Sequence, residues 1–409
     1  MQSETADAVL TGTGQPDRCG QWHLITSEFP PQPGGVSDYT QQLATCLAAQ
    51  GDEVHVWCPA CASERPEAKG FSIHREFGAF TPSDLRRVDQ ELDRFPGPRR
   101  ILVQWVPHGY GYRSMNLAFC WWVWKRATRH GDFVELMVHE PFLTFSWNSL
   151  RQNAAAAVHR LMTILLLRAA SRVWISIPQW RALLGPYSLG KQTRFEWLPV
   201  PSNIPVVDDT VAAQAVRRRY VQGQRLLVGH FGTFGVLIGR LLEPIVYALT
   251  EADPACVLLL MGRGSEQFRQ RLIQAEPRLD GIVEATGPLA PETLSSHLAA
   301  CDLLIQPYPD GVSTRRGSVM AGLAHGKPIV TTTGWLTEPL WSQTAAVTLA
   351  PAGDVQTFVN NFQRLSSDTG GRLRASAAAR KLYQDRFDMA HTVRALRQVE
   401  PGESRPCAS

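Results

Sequence analysis

No apolar run in this chain approaches the ~18 residues that a membrane-spanning helix needs. Leu161–Ala170 is interrupted by Arg168, and Leu117–Trp124 is too short. There is no block of five or more Lys or Arg, and 41 cations against 37 anions leave a net charge of only +4. That balance admits an anionic ligand but gives no sign of nucleic-acid binding. The first twenty residues hold no apolar signal-peptide core, so 1–20 read as a disordered tail. Among eight cysteines, Cys58 and Cys61 form a lone Cys-x-x-Cys, with no second pair to complete a zinc site. Idle thiols in a reducing compartment follow, hence an expected cytoplasmic location. Disorder is excluded by composition, since 44% of residues are hydrophobic and only 19% charged.

What is present is a repeated strand–helix rhythm, and 409 residues allow two or three domains. Trp22–Thr26 reads as a strand, the loop Glu28–Gly35 follows, and a helix runs from Ser37 to about Gln50. Tyr39, Leu43, Cys46 and Leu47 keep helical spacing, with Gly51 as the stop. Val54, Val56 and Cys58 alternate as the next strand. Further strands are expected at Ile101–Val106, Phe133–Val138 and Arg172–Ser176, and helices at Asn116–Arg129 and Ala154–Ala170. Three prolines within Trp197–Val207 read as a stiff linker. Beyond it, strands are expected at Leu226–His230, Cys256–Met261, Ile282–Thr286, Leu303–Pro307 and Ile329–Thr332. Helices alternate with them at about Ile238–Thr250, Ser265–Gln274, Pro291–Ala300 and Gly317–His325, and Gly371–Phe387 is a closing basic helix. Continuous apolar strands such as CVLLLM indicate parallel sheets covered on both faces. The fold class is therefore α/β, with two doubly wound, Rossmann-like domains facing a cleft. The expected divisions are 21–205, 206–385 and a terminal helix and tail over 386–409.

In such sheets ligands bind beyond the carboxyl ends of the strands. Gly34 and Gly35 precede a helix N-terminus, where the backbone can approach a phosphate. Gly229–Gly235 (GHFGTFG) is another glycine-rich loop between strand and helix, with His230, Gly232 and Thr233 as candidate contacts. It is neither a dinucleotide fingerprint nor a Walker loop. In Met261–Glu266, Gly262 and Gly264 flank Arg263, a candidate phosphate clamp. The richest segment is Pro307–Thr332, where Ser313, Arg315, Arg316, Gly317 and Ser318 gather at a helix start. Two guanidiniums, hydroxyls and a helix N-terminus make an anion site. His108 and the pair His139-Glu140 stand at strand ends, where they can orient hydroxyls or carry protons.

The order and spacing of these loops resemble the retaining glycosyltransferases of the GT-B fold, family 4 type, from Trp22 to about Arg394. The likeness is carried by SEFPPQPGGVSDYTQQLATCLAAQGDEVHVW, MVHEPF, LPVPSNIPV, LLLMGRGSEQF, TGPLAPETLSSHLAACDLLIQPYPDG and AGLAHGKPIVTT. It implies an acceptor-side first domain and a donor-binding second one. It also implies a nucleotide-sugar donor, and transfer with retention and without a metal. Gly34 and Gly35 match the family's glycine loop near the donor diphosphate. His139 matches a histidine near the transferring sugar, and Gly262, Arg263 and Gly264 match a donor-side loop. The family's Glu-x7-Glu pattern is missing: Ala321 stands at the second glutamate and Ser313 at the first. Alternatively Asp310-Gly311 corresponds to the family's Glu-Gly, with three residues inserted after it, which puts Asp310 with His139 and Glu140 among the catalytic candidates. HFGTFG replaces the family's Arg and Lys, and Arg315 and Arg316 are expected to restore the lost charge.

Two other classes stay open: a non-catalytic sugar- or nucleotide-binding relative, and a dinucleotide oxidoreductase, which lacks its fingerprint. The acceptor is expected to be a glycan or lipid-linked glycan. Trp121, Trp122, Trp124, Lys125, Arg126 and Arg129 share one helix, either as core packing or as a peripheral membrane contact.

Overall fold

The computed structural model describes residues 20–61, 70–223 and 225–398. Apart from Gly20 the expected tail over 1–20 lies outside the described residues, as do 399–409 of the expected terminal segment. In the first half, strand β1 (Gln21–Ile25) leads to helix α1 (Gly35–Ala49), then β2 (Glu53–Trp57), β3 (Ser72–His74) and α2 (Pro82–Leu92). β4 (Arg100–Trp105), α3 (Leu117–Arg129), β5 (Phe133–Val138), α4 (Leu150–Ala169), β6 (Arg172–Ile175), α5 (Gln179–Leu184) and β7 (Phe195–Trp197) complete it. The strands form one parallel sheet in the order β3-β2-β1-β4-β5-β6-β7. β4 and β5 are buried along nearly their whole length, as strands sandwiched between helix layers must be.

The second half opens with α6 (Thr210–Tyr220), β8 (Leu227–Phe231), α7 (Val236–Ala252), β9 (Val257–Met261), α8 (Ser265–Ala275) and β10 (Val283–Ala285). It continues with α9 (Pro291–Ala300), β11 (Leu303–Gln306), α10 (Gly317–Ala324), β12 (Ile329–Thr333), β13 (Val347–Pro351) and α11 (Val355–Ser367). Its parallel sheet runs β10-β9-β8-β11-β12-β13. The chain order reverses beside β1 in one sheet and beside β8 in the other. These switch points leave crevices at the carboxyl ends of the strands.

Leu198 is buried in the first domain's core and Ile204 in the second's, so the proline linker is seated at both ends. The terminal segment is not free-standing. α12 (Thr369–Arg386) packs Ala379 into the second core, and α13 (Met389–Arg397) returns to the first domain. There Val393 and Leu396 join Trp22 and Leu43, and Arg100 Nη2 donates to the Leu396 carbonyl at 2.5 Å.

The tryptophan-rich helix α3 divides by face. Trp122 and Arg126 turn inward, and the Arg126 guanidinium is fully buried among Asp89, Asp93 and Asp132. Trp121 is half-exposed and packs against Trp124 with tilted rings, centroids 4.6 Å apart. Among the described residues no helix is long and apolar enough to cross a membrane.

Candidate functional site

A cleft of about 760 Å³ opens between the carboxyl ends of the two sheets. Of the residues singled out in the sequence, Gly34, Gly35, His139, Glu140, His230, Gly232, Thr233, Gly262, Arg263, Arg315, Arg316, Gly317 and Ser318 line it. Gly264, Ser313 and Asp310 do not. Gly264 is the N-cap of α8, in the left-handed conformation (φ 87°). Ser313 is fully buried and its hydroxyl has no partner.

On the first-domain wall, α1 begins at Gly35, but its N-terminus is not open. Glu28 Oε1 accepts from the Val36 and Ser37 amides at 3.1 and 3.0 Å. The carboxylate therefore takes the place where an external anion was expected. A Cβ on Gly34 would lie 2.1 Å from Glu28 Oε1, so only glycine admits this contact.

His139 follows β5 and is buried against the edge of Tyr39, ring centroids 5.1 Å apart. Its Nε2–H donates to Gln104 Oε1 at 2.9 Å, which leaves Nδ1 as an acceptor. Burial pushes its pKa down to about 4. The ring is neutral at pH 7, suited to orienting a hydroxyl rather than to carrying a proton. Glu140 is half-exposed, with its carboxylate 3.6 Å from His108 Nδ1. The Tyr39 hydroxyl lines the cleft, buried and unpartnered.

On the second-domain wall, His230 is the last residue but one of β8. Its Nδ1–H donates to the Ile305 carbonyl at 2.8 Å, fixing the tautomer. Burial pushes its pKa down to about 4, and Nε2 is left a bare acceptor. Gly262 has φ 119°, and an added Cβ would lie 2.2 Å from the Gly232 carbonyl. The two glycine loops therefore touch backbone to backbone. Arg263 stands exposed at the rim.

The arginine loop precedes α10. The two carboxylate oxygens of Asp310 hold one guanidinium each, Arg315 at 2.5 Å and Arg316 still closer. Arg316 lies over the Tyr308 ring at 4.6 Å, and the Tyr308 hydroxyl bonds Ser318 Oγ at 2.7 Å. Arg315 lies 5.8 Å from the Trp180 ring of the first domain. Burial and the adjacent Arg316 lower its pKa, with Asp310 opposing. Asp310 thus sits behind the arginines as their orienting partner.

Thr314 joins the halves. Its hydroxyl lies 2.8 Å from the Ser176 carbonyl and 2.5 Å from Glu338 Oε1, and it accepts from Trp197 Nε1 at 3.1 Å. The Val200 amide donates to the Thr314 carbonyl at 3.0 Å. Burial raises the Glu338 pKa against the hydrogen bonds from Thr314 and Trp341. Asn203 of the linker donates to Asp38 on α1 at 2.9 Å. Among the described residues no group of three His, Cys, Asp or Glu side chains is placed to hold a metal.

Glu28, Tyr39, Gln306 and Glu338 were not legible as site residues. Each is an ordinary polar residue in the sequence, and its role depends on which groups the fold brings to it, as for Glu28 and Glu338, or on having no partner, as for Tyr39 and Gln306.

Two families match the sequence. The one described as Glycosyltransferase Family 4 matches residues 33–176, and Glycosyl transferases group 1 matches residues 228–368. No curated protein matches the chain. Solved structures share the fold at low identity. Sucrose-phosphate synthase from Thermosynechococcus elongatus is 18% identical with a TM-score of 0.70, covering 92% of this chain and 97% of that one. HepE from Anabaena in complex with UDP and glucose is 16% identical with a TM-score of 0.65, covering 92% and 98%. The catalytic domain of starch synthase IV from Arabidopsis thaliana, bound to ADP and acarbose, is 13% identical with a TM-score of 0.65, covering 93% and 98%.

Proposed function

The chain belongs to the GT-B glycosyltransferases of group 1 and family 4, and from that premise we propose that it moves a sugar from a nucleotide-sugar donor to an acceptor hydroxyl, with retention and without a metal. The observation that carries this reading is the arginine loop. Arg315, Arg316, Ser318 and the N-terminus of α10 share one wall of the cleft. Breaking the bond between the sugar carbon and the diphosphate oxygen sends the electron pair to that oxygen. Preoriented guanidiniums and helix N–H groups stabilise charge developing there. The acceptor oxygen forms the new bond on the same face, and its proton passes to the departing phosphate. His139, neutral and buried, orients a sugar hydroxyl through Nδ1. Glu140 and His108 face the acceptor side. The acceptor is proposed to be a glycan or lipid-linked glycan, whose hydroxyls the polar side chains of His108 and Glu140 on the first-domain wall suit.

Solved structures of the same fold hold UDP and glucose in one case and ADP in another, which supports a nucleoside diphosphate in this cleft. The test is turnover of nucleotide sugars, followed as released nucleoside diphosphate. Arg315→Ala/Arg316→Ala is expected to lose at least 100-fold in kcat/KM, since each hydrogen bond to a charged group contributes about 1.5–3 kcal/mol. Undiminished turnover in the double variant would sink the proposal.

A further inference from the structure

Gln306 is the last residue of β11 and is fully buried, yet neither its carboxamide oxygen nor its nitrogen has a partner. It lines the cleft. A buried polar group with no partner is costly, and native proteins hold few of them. An amide left bare on both atoms at a cleft wall is therefore a group awaiting a ligand that both donates and accepts. A hydroxyl does both, and a pair of adjacent hydroxyls matches an amide's two atoms.

The neighbours narrow the ligand. Leu289 and Leu294 line the same cleft with apolar surface. Tyr308, two residues on from Gln306, supports Arg316 and Ser318. The cleft thus offers apolar surface, one uncharged amide and a cationic loop. A nucleoside diphosphate has three matching parts, a flat base, a ribose and a diphosphate. We propose that Gln306 reads the ribose hydroxyls of the donor nucleotide and makes the site prefer ribonucleotides to deoxyribonucleotides. This rests on the nucleotide-sugar reading above. The ribose 2′- and 3′-hydroxyls take the amide oxygen and nitrogen. A deoxynucleotide leaves one amide atom buried and unpaired again.

The test is titration calorimetry of the full chain with UDP, ADP and GDP, then with the 2′-deoxy and 3′-deoxy forms of the tightest. The wild type is expected to bind the ribo form about tenfold more tightly than at least one deoxy form, the usual consequence of stranding one buried polar atom. Gln306→Leu, nearly the same size, is expected to bind ribo and deoxy forms within about twofold of each other, the ribo form having lost the amide's hydrogen bonds. Gln306→Glu keeps the acceptor and is expected to keep part of the preference. A cooperative thermal transition in each variant shows that it has folded. Discrimination that persists in Gln306→Leu, or that is absent from the wild type, overturns the proposal and leaves the nucleotide-sugar reading standing. Failure of all three diphosphates to bind the wild type overturns both.

Discussion

At the scale of single residues, the cleft is defined as much by missing side chains as by present ones. Gly262 sits where any Cβ would meet the Gly232 carbonyl at 2.2 Å, at a φ of 119° that other residues rarely adopt. Gly262→Ala is expected to push the two glycine loops apart. A cost of about 2–4 kcal/mol combines the strained backbone with the clash. Urea denaturation measures it, and a loss under 0.5 kcal/mol, about the range of surface substitutions, would show that the loops yield freely. His230 and Gln306 carry unpaired acceptors on the wall above these loops. Neither was legible as such. The sequence places both residues at strand ends, but which atoms stay bare depends on Ile305 and on the packing around β11.

Elements show why some of the architecture could be read and some could not. Phe133–Val138 and Pro291–Ala300 fall where the apolar runs and the first-turn proline put them. The half-exposed strands β3 and β7, three residues each, have no apolar run to betray them. α2 has a clear signal, a Thr81–Asp84 capping box ahead of Leu85, Val88 and Leu92, but its short apolar stripe is easily passed over. α13 makes sense only once α1 is in place to receive it. The sequence predicts a phosphate seat at the opening of α1, and the structure seats the chain's own Glu28 carboxylate there, brought back by the turn at Pro30 and Pro31. Glu28→Ala is expected to strip two amides of their acceptor and cost about 1 kcal/mol, the usual worth of a helix N-terminal cap. Chemical denaturation reads it. An unchanged midpoint would mean that water serves those amides equally well.

Across the whole molecule, polar contacts join the two halves beside a little apolar burial, with Leu336 of the second domain seated in the first domain's core. Thr314 bonds both domains at once, and Asn203 reaches from the linker to α1. The arginine loop is therefore positioned by the domain interface as well as by Asp310. Both domains also bury neutral imidazoles. Burial lowers the pKa of His23 to about 3, and those of His74, His139 and His230 to about 4. The unfolded chain binds protons at these sites near pH 6.5, while the folded chain takes them up only near 3–4. Their contribution to stability is thus fully present above about pH 6.5 and falls steadily as the pH drops toward 4. Urea midpoints at pH 7.5, 6 and 5 should decline in that order, and a midpoint rising with acidification would contradict the neutral burial. The most direct test of the donor site is titration calorimetry of UDP, ADP and GDP against the wild type and Arg315→Ala/Arg316→Ala. One diphosphate is expected to bind the wild type, and to bind the double variant at least 100-fold more weakly, about 2.7 kcal/mol, since two charge-assisted contacts are lost. Equal affinity in the two proteins would place the diphosphate elsewhere and contradict the assignment of the arginine loop.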